Sequence, residues 1–149
     1  MASSLAEQLL SPEHRPAVIQ DVARLVEAEV ARKTGLGGFA LQAAFSVLRG
    51  AGPQWLPGVL DRWAPDLVAA LEGPFSRAQA GGESLPALFA QEKSQIAQAL
   101  LGIVDAKANR SANATAVKAY QKLRGSAVKH LEEAVPALAA LLERHTGRS

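Results

Sequence analysis

Cysteine is absent from the chain, and its absence excludes disulfides, thiolate nucleophiles and cysteine-based zinc sites. Aromatic residues are few at 5%, with a single tyrosine, and no segment alternates apolar with polar residues for long, so the pattern of a half-buried strand is missing. No run reaches the ~18–20 apolar residues of a membrane span. The start, Met1 to Glu7, has neither a basic region nor a long apolar stretch; no signal peptide is expected, which makes the cytoplasm the expected location. No Gly-x-Ser-x-Gly, His-Glu-x-x-His or Glu-x-x-His occurs, and His14, His130 and His145 stand far apart. No catalytic residue is therefore nominated, and neither a metal nor a cofactor is expected.

What remains is a helix-forming composition. The 149 residues are 48% hydrophobic and 20% charged, dominated by Ala, Leu, Glu, Gln, Arg and Lys. A chain of this length buries roughly 68–70% of its unfolded surface, enough for one core without staples. The expectation is a single all-α domain over residues 1–149, a bundle of about five to seven helices. Residues 1–10 are expected to add an accessory N-terminal helix, and 146–149 a flexible tail. The net charge of +2 is uneven: residues 1–106 carry −3 and residues 107–149 carry +5.

Proline and glycine punctuate the helices. Ser11-Pro12 reads as an N-cap with proline at the first helical position, and Pro16 restarts the chain. Val18, Val22, Leu25, Val26 and Val30 follow helical spacing up to Lys33. Gly35 is placed to end that helix in left-handed backbone, with Leu36 as the accompanying apolar contact. Gly38 to Leu48 reads as a second helix, broken by Gly50 to Pro53. Short pieces interrupted by Pro57, Pro65 and Pro74 are expected next, then a loop at Gly81-Gly82. Ser84-Leu85-Pro86 opens a long helix to about Lys107. Ser111 or Asn113 caps the last one, which reaches about His145 and is kinked or divided near Pro136, where the carbonyl of Glu132 has no donor four residues on.

Four groups of residues invite a functional reading. Thr34 to Leu60 carries one charge, Arg49, and reads as a central apolar hairpin with Phe39, Leu41, Phe45, Leu48, Leu56 and Leu60 in the core. Any part left uncovered is an interaction surface, with Phe45, Trp55 and Trp63 as its candidates. Glu29, Glu92 and Arg124 fall where helical spacing expects apolar residues. They predict a buried polar network, with Arg124 paired first with Glu29 or else with Glu92. Lys118, Lys122 and Lys129 share one stripe, since Lys122 lies about 40° and Lys129 about 20° round the helix from Lys118. The stripe is either a solvated face or a set of anion contacts. Arg32 to Gly38 sets basic side chains before a helix start but lacks the Lys-Ser/Thr pair of a P-loop, and reads as a cap and turn.

Lys33-Thr34-Gly35-Leu36-x-Gly38, Arg110-Ser111-x-Asn113-x-Thr115 and Tyr120-x-Lys122-Leu123-Arg124 together resemble an uncharacterised family of short bacterial helical proteins. The resemblance covers most of the chain. It implies an all-α fold and no activity, and it transfers no functional residue.

Three functions follow as expectations. The first is a non-enzymatic interaction protein that self-associates or docks a protein partner through apolar helix surface. The second is an anion-binding module for nucleic acid or acidic lipid, using the basic C-terminal helix. The third is a small-molecule carrier or enzyme with a polar pocket at Glu29, Glu92 and Arg124.

Overall fold

The computed structural model describes residues 4–33, 35–50 and 52–146. Among these, every regular element is helical: α1 (Leu5–Leu9), α2 (Arg15–Arg32), α3 (Gly35–Arg49), α4 (Trp55–Gly81), α5 (Leu85–Gln91), α6 (Lys93–Arg110) and α7 (Ala114–Thr146). Helix α2 packs on α3, α4 and α7, helix α6 packs on α4 and α7, and the short α1 and α5 pack against α4 and α7.

The caps explain most boundaries. Ser4 and Glu7 form a reciprocal capping box at α1: the Ser4 hydroxyl accepts from the Glu7 N–H at 3.0 Å, and the Ser4 N–H donates to Glu7 Oε1 at 2.9 Å. The N–H of Ala6 donates to Glu72 Oε1 at 2.8 Å, which ties α1 to α4. Residues Ser11 to His14 form a turn, so the helix begins at Arg15 with Pro16 in its first turn, and the cap expected at Ser11 is not used. Gly82 takes left-handed backbone (φ 67°) after α4, as the Gly81-Gly82 loop requires. Asn113 caps α7 through its Oδ1, which accepts from the Ala116 N–H at 3.0 Å.

Gly35 is left-handed as expected (φ 75°), but it opens α3 rather than closing α2. Lys33 caps α2, and Gln42 on α3 donates to the carbonyls of both Val30 and Lys33 at 3.1 Å. Both carbonyls lie at the helix end, beyond the reach of i+4 donors; that of Val30 also accepts from the Lys33 N–H at 3.3 Å. Thr34 and the side chain of Leu36 lie outside the described residues.

Proline and continuity diverge from expectation in two places. The segment around Pro57, Pro65 and Pro74 is one 27-residue helix, α4. Pro57 sits in its first turn, where an N–H has no partner to lose. Pro65 removes the helical donor to the carbonyl of Asp61, and the Arg15 guanidinium supplies another at 2.7 Å. Helix α7 also runs through Pro136 as one element, so of the two forms expected there, kinked or divided, the division does not occur. Conversely, the helix expected from Ser84 to Lys107 is two. Glu92 breaks it (φ −105°, ψ 19°) while its carboxylate is gripped by Arg77 of α4.

The principal core joins α1, α2, α4, α5, α6 and the second half of α7 around Leu5, Phe75, Leu85, Phe89, Val135 and Leu141, each at most 1% exposed. No described residue of α3 belongs to it. Helix α3 contributes to a smaller cluster, in which Leu41 and Ala44 meet Val30, Ala119 and Leu123. The apolar hairpin is thus peripheral rather than central. Leu41, Leu56 and Leu60 are buried, Phe45 and Leu48 are half-buried, and Phe39 is 72% exposed. The expectation of six core side chains from this segment fails at Phe39.

Candidate functional site

The three charges expected to form one buried network are dispersed. Arg124 is half-exposed and its partner is Asp105, at 2.9 Å, not Glu29 or Glu92. Glu29 is held on its own helix by Arg32 and lies 3.7 Å from Lys33, whose ammonium reaches Glu133 of α7 at 2.5 Å. Glu92 accepts two bonds from Arg77, at 2.9 and 2.5 Å, and this guanidinium holds its carboxyl below the usual carboxylate range. Each charge found a nearer partner than the one spacing alone favoured. With the three apart, the polar pocket that supported the enzyme or carrier reading has no basis in geometry.

Asp105 is the residue that sequence reasoning missed. It accepts from the Tyr120 hydroxyl and from Arg124 across the α6–α7 contact. The Tyr120 hydrogen bond, then Arg124, holds its carboxyl low, and burial followed by the same carboxylate pushes the Tyr120 hydroxyl up. A signal for it existed. Ala97, Leu101, Asp105 and Ala108 follow helical spacing, so Asp105 met the same criterion that singled out Arg124. These groups line an open cleft of about 320 Å³ with Asn109, Val117 and Gln121. Because Asp105, Tyr120 and Arg124 engage one another, the cleft presents a closed structural knot rather than an activated nucleophile or base. No cluster of metal-ligating side chains occurs among the described residues.

The lysine stripe is where it was expected. Lys118, Lys122 and Lys129 are all exposed, and none makes an ion pair or hydrogen bond among the described residues. Lys107 does not join them; it pairs with Asp66 at 2.6 Å.

Phe45, Trp55 and Trp63 are half-buried. Phe45 and Trp55 stack edge to face with ring centroids 5.9 Å apart, and the Arg49 guanidinium lies 5.9 Å from the Phe45 centroid. The first two therefore hold α3 to α4 rather than forming a free surface.

The free apolar surface lies on the other side of α3. Among the described residues, Phe39 and Val47 are the large hydrophobic side chains that stand exposed, at 72% and 55%. Steps of four residues place Phe39, Ala43 and Val47 within about 80° of arc, and Ala40 and Ala43 are exposed as well. The first half of α7 packs on α3 through Ala119 and Leu123, which meet Leu41 and Ala44; Lys118 and Lys122 immediately precede those two contact residues. Neither α3 nor residues 114–131 of α7 contain an acidic residue.

An all-helical bundle whose charges pair between helices at its surface, with one bare apolar helix face, is the class of protein these features define. The chain belongs to DUF6918, a family of unknown function whose profile matches residues 5–146, in agreement with the resemblance to an uncharacterised helical family. No curated protein and no solved structure matches the chain significantly. No helix among the described residues is long and apolar enough to cross a membrane.

Proposed function

We propose that this protein is a non-enzymatic interaction protein that works through the outer face of α3. The observation that carries the reading is the exposure of Phe39 and Val47 on one arc of a helix whose only charged residue is Arg49. Each large apolar side chain left in water forgoes roughly 1.5–3 kcal/mol of burial. Nothing in the fold requires them there, because α3 is anchored from its opposite side by Leu41, Ala44 and Phe45. Exposed apolar residues grouped on one element mark a docking surface more often than a structural one.

The test is retention on a phenyl-derivatised matrix, with thermal unfolding measured in parallel. The double variant Phe39→Ser, Val47→Ser is expected to keep the unfolding midpoint and to lose retention. A lowered midpoint would make the face structural, and unchanged retention would show that it is not an accessible apolar surface. Either result overturns the reading.

A further inference from the structure

We infer that the occupant of the α3 face is an anionic phospholipid surface, with Phe39 and Val47 entering the boundary between headgroups and acyl chains and Lys118, Lys122 and Lys129 lying over the headgroup phosphates. The inference rests on the reading of α3 as a docking face, and three observations select the partner.

The first is charge. Among the described residues Lys118 and Lys122 make no ion pair, Lys129 feels the carboxylate of Glu133 at the end of the stripe, and the α3 face and residues 114–131 lack acidic residues. An isologous contact with a second copy would set the same cationic surface against itself. A partner of opposite charge is required, and a layer of anionic headgroups supplies it along the whole stripe.

The second is shape. Phe39 projects outward at 72% exposure. A partner helix is recognised by a groove that its apolar face fills, whereas a bilayer surface receives protruding apolar side chains. Nucleic acid would use the lysines without needing Phe39 or Val47, and Tyr120, the aromatic residue nearest the stripe, is engaged with Asp105.

The third is the composition of α3. The one long polar side chain in its middle, Gln42, is turned inward to the end of α2. The one charge, Arg49, sits at its last position, with Nε 3.8 Å from Glu27. The outer arc is therefore free of charge over Phe39 to Val47, while lysines flank it along about 16 Å of α7. An apolar arc with a lysine flank is the pattern of a helix that lies in the interfacial plane.

Co-sedimentation with vesicles tests this. The full-length protein is expected to bind vesicles of an equal mixture of phosphatidylcholine and phosphatidylglycerol, to bind phosphatidylcholine alone far more weakly, and to be released as salt is raised. Phe39→Ser is expected to lower partitioning about tenfold, and Lys118→Gln, Lys122→Gln about fivefold per lysine. The salt titration of the unsubstituted protein gives the electrostatic part independently of whether the lysine variant folds. Equal binding to both vesicle types, no binding to the anionic vesicles, or binding indifferent to Phe39→Ser would each overturn the inference. If vesicles fail while Phe39→Ser still abolishes retention on the phenyl matrix, the docking face stands and its occupant is a protein. If both fail, the docking reading falls with it.

Discussion

Arg15 and Asp61 meet twice across the α2–α4 contact: Nε donates to the carboxylate Oδ1 at 2.7 Å, and Nη2 donates to the backbone carbonyl of Asp61, also at 2.7 Å. That carbonyl is the one Pro65 leaves without its helical N–H. One guanidinium thus repairs a proline in the middle of a long helix and joins that helix to its neighbour.

The repair leads to a double-mutant cycle. Arg15→Ala is expected to lower stability by about 1–2 kcal/mol, since it strips the carbonyl of its remaining protein donor and breaks a partly exposed ion pair. In a Pro65→Ala background the helix supplies its own donor, and Arg15→Ala is then expected to cost distinctly less. Urea unfolding of the four proteins measures the coupling, and strict additivity would show that Arg15 acts through the ion pair alone.

Tyr120 is the only tyrosine in the chain, so the tyrosinate absorbance band reports it alone. Burial and the Asp105 carboxylate raise its pKa above the ordinary value of 10.0. The folded state therefore holds this proton more tightly than the unfolded chain does. Its contribution to stability is whole below pH 10 and is lost as pH rises from there through the folded value. The native protein is expected to show no tyrosinate at pH 10, and Asp105→Asn should bring the titration down towards the ordinary value. Asp105 acts in the opposite sense. Its lowered pKa gives stability that is present above the ordinary aspartate value and is lost as pH falls through the folded one. Normal titration of Tyr120 in the folded protein would remove the knot between α6 and α7.

Two glycines should respond oppositely to alanine. A Cβ on Gly38 would come within 2.6 Å of the Lys33 carbonyl carbon and 2.9 Å of its oxygen, so the turn from α2 into α3 would have to open. Gly102, inside α6, has nothing within 4 Å of that position. Gly38→Ala is expected to destabilise the protein by about 1–3 kcal/mol, and Gly102→Ala to stabilise it by about 0.5–1 kcal/mol. Thermal midpoints of the two variants check both signs.

Helix class and most helix ends were legible because they depend on local chemistry: apolar spacing in α2, the Asn113 cap, left-handed backbone at Gly35, the loop at Gly81-Gly82. Pro65 misled because the donor that restores the Asp61 carbonyl comes from another helix, 46 residues away in sequence. Pairing misled for a similar reason. Periodicity placed Arg124 on a helix face but carried no information about which carboxylate lay opposite, and Asp105 satisfied the same criterion unnoticed. The α3 segment was readable as apolar but not as exposed. Its composition marks which residues avoid water, and only packing decides how many of them the other helices cover. The lysine stripe, whose solvent exposure needs no tertiary partner, appears as expected.

The central claim is that Phe39 lies outside the core while Leu41, two residues on, lies within it at 8% exposure. The most direct measurement is the urea midpoint of Phe39→Ala against that of Leu41→Ala. Phe39→Ala is expected to stay within about 0.5 kcal/mol of the unsubstituted protein, and Leu41→Ala to lose about 2–5 kcal/mol. Comparable losses in the two variants would place Phe39 in the core and contradict the account of α3 as a free face.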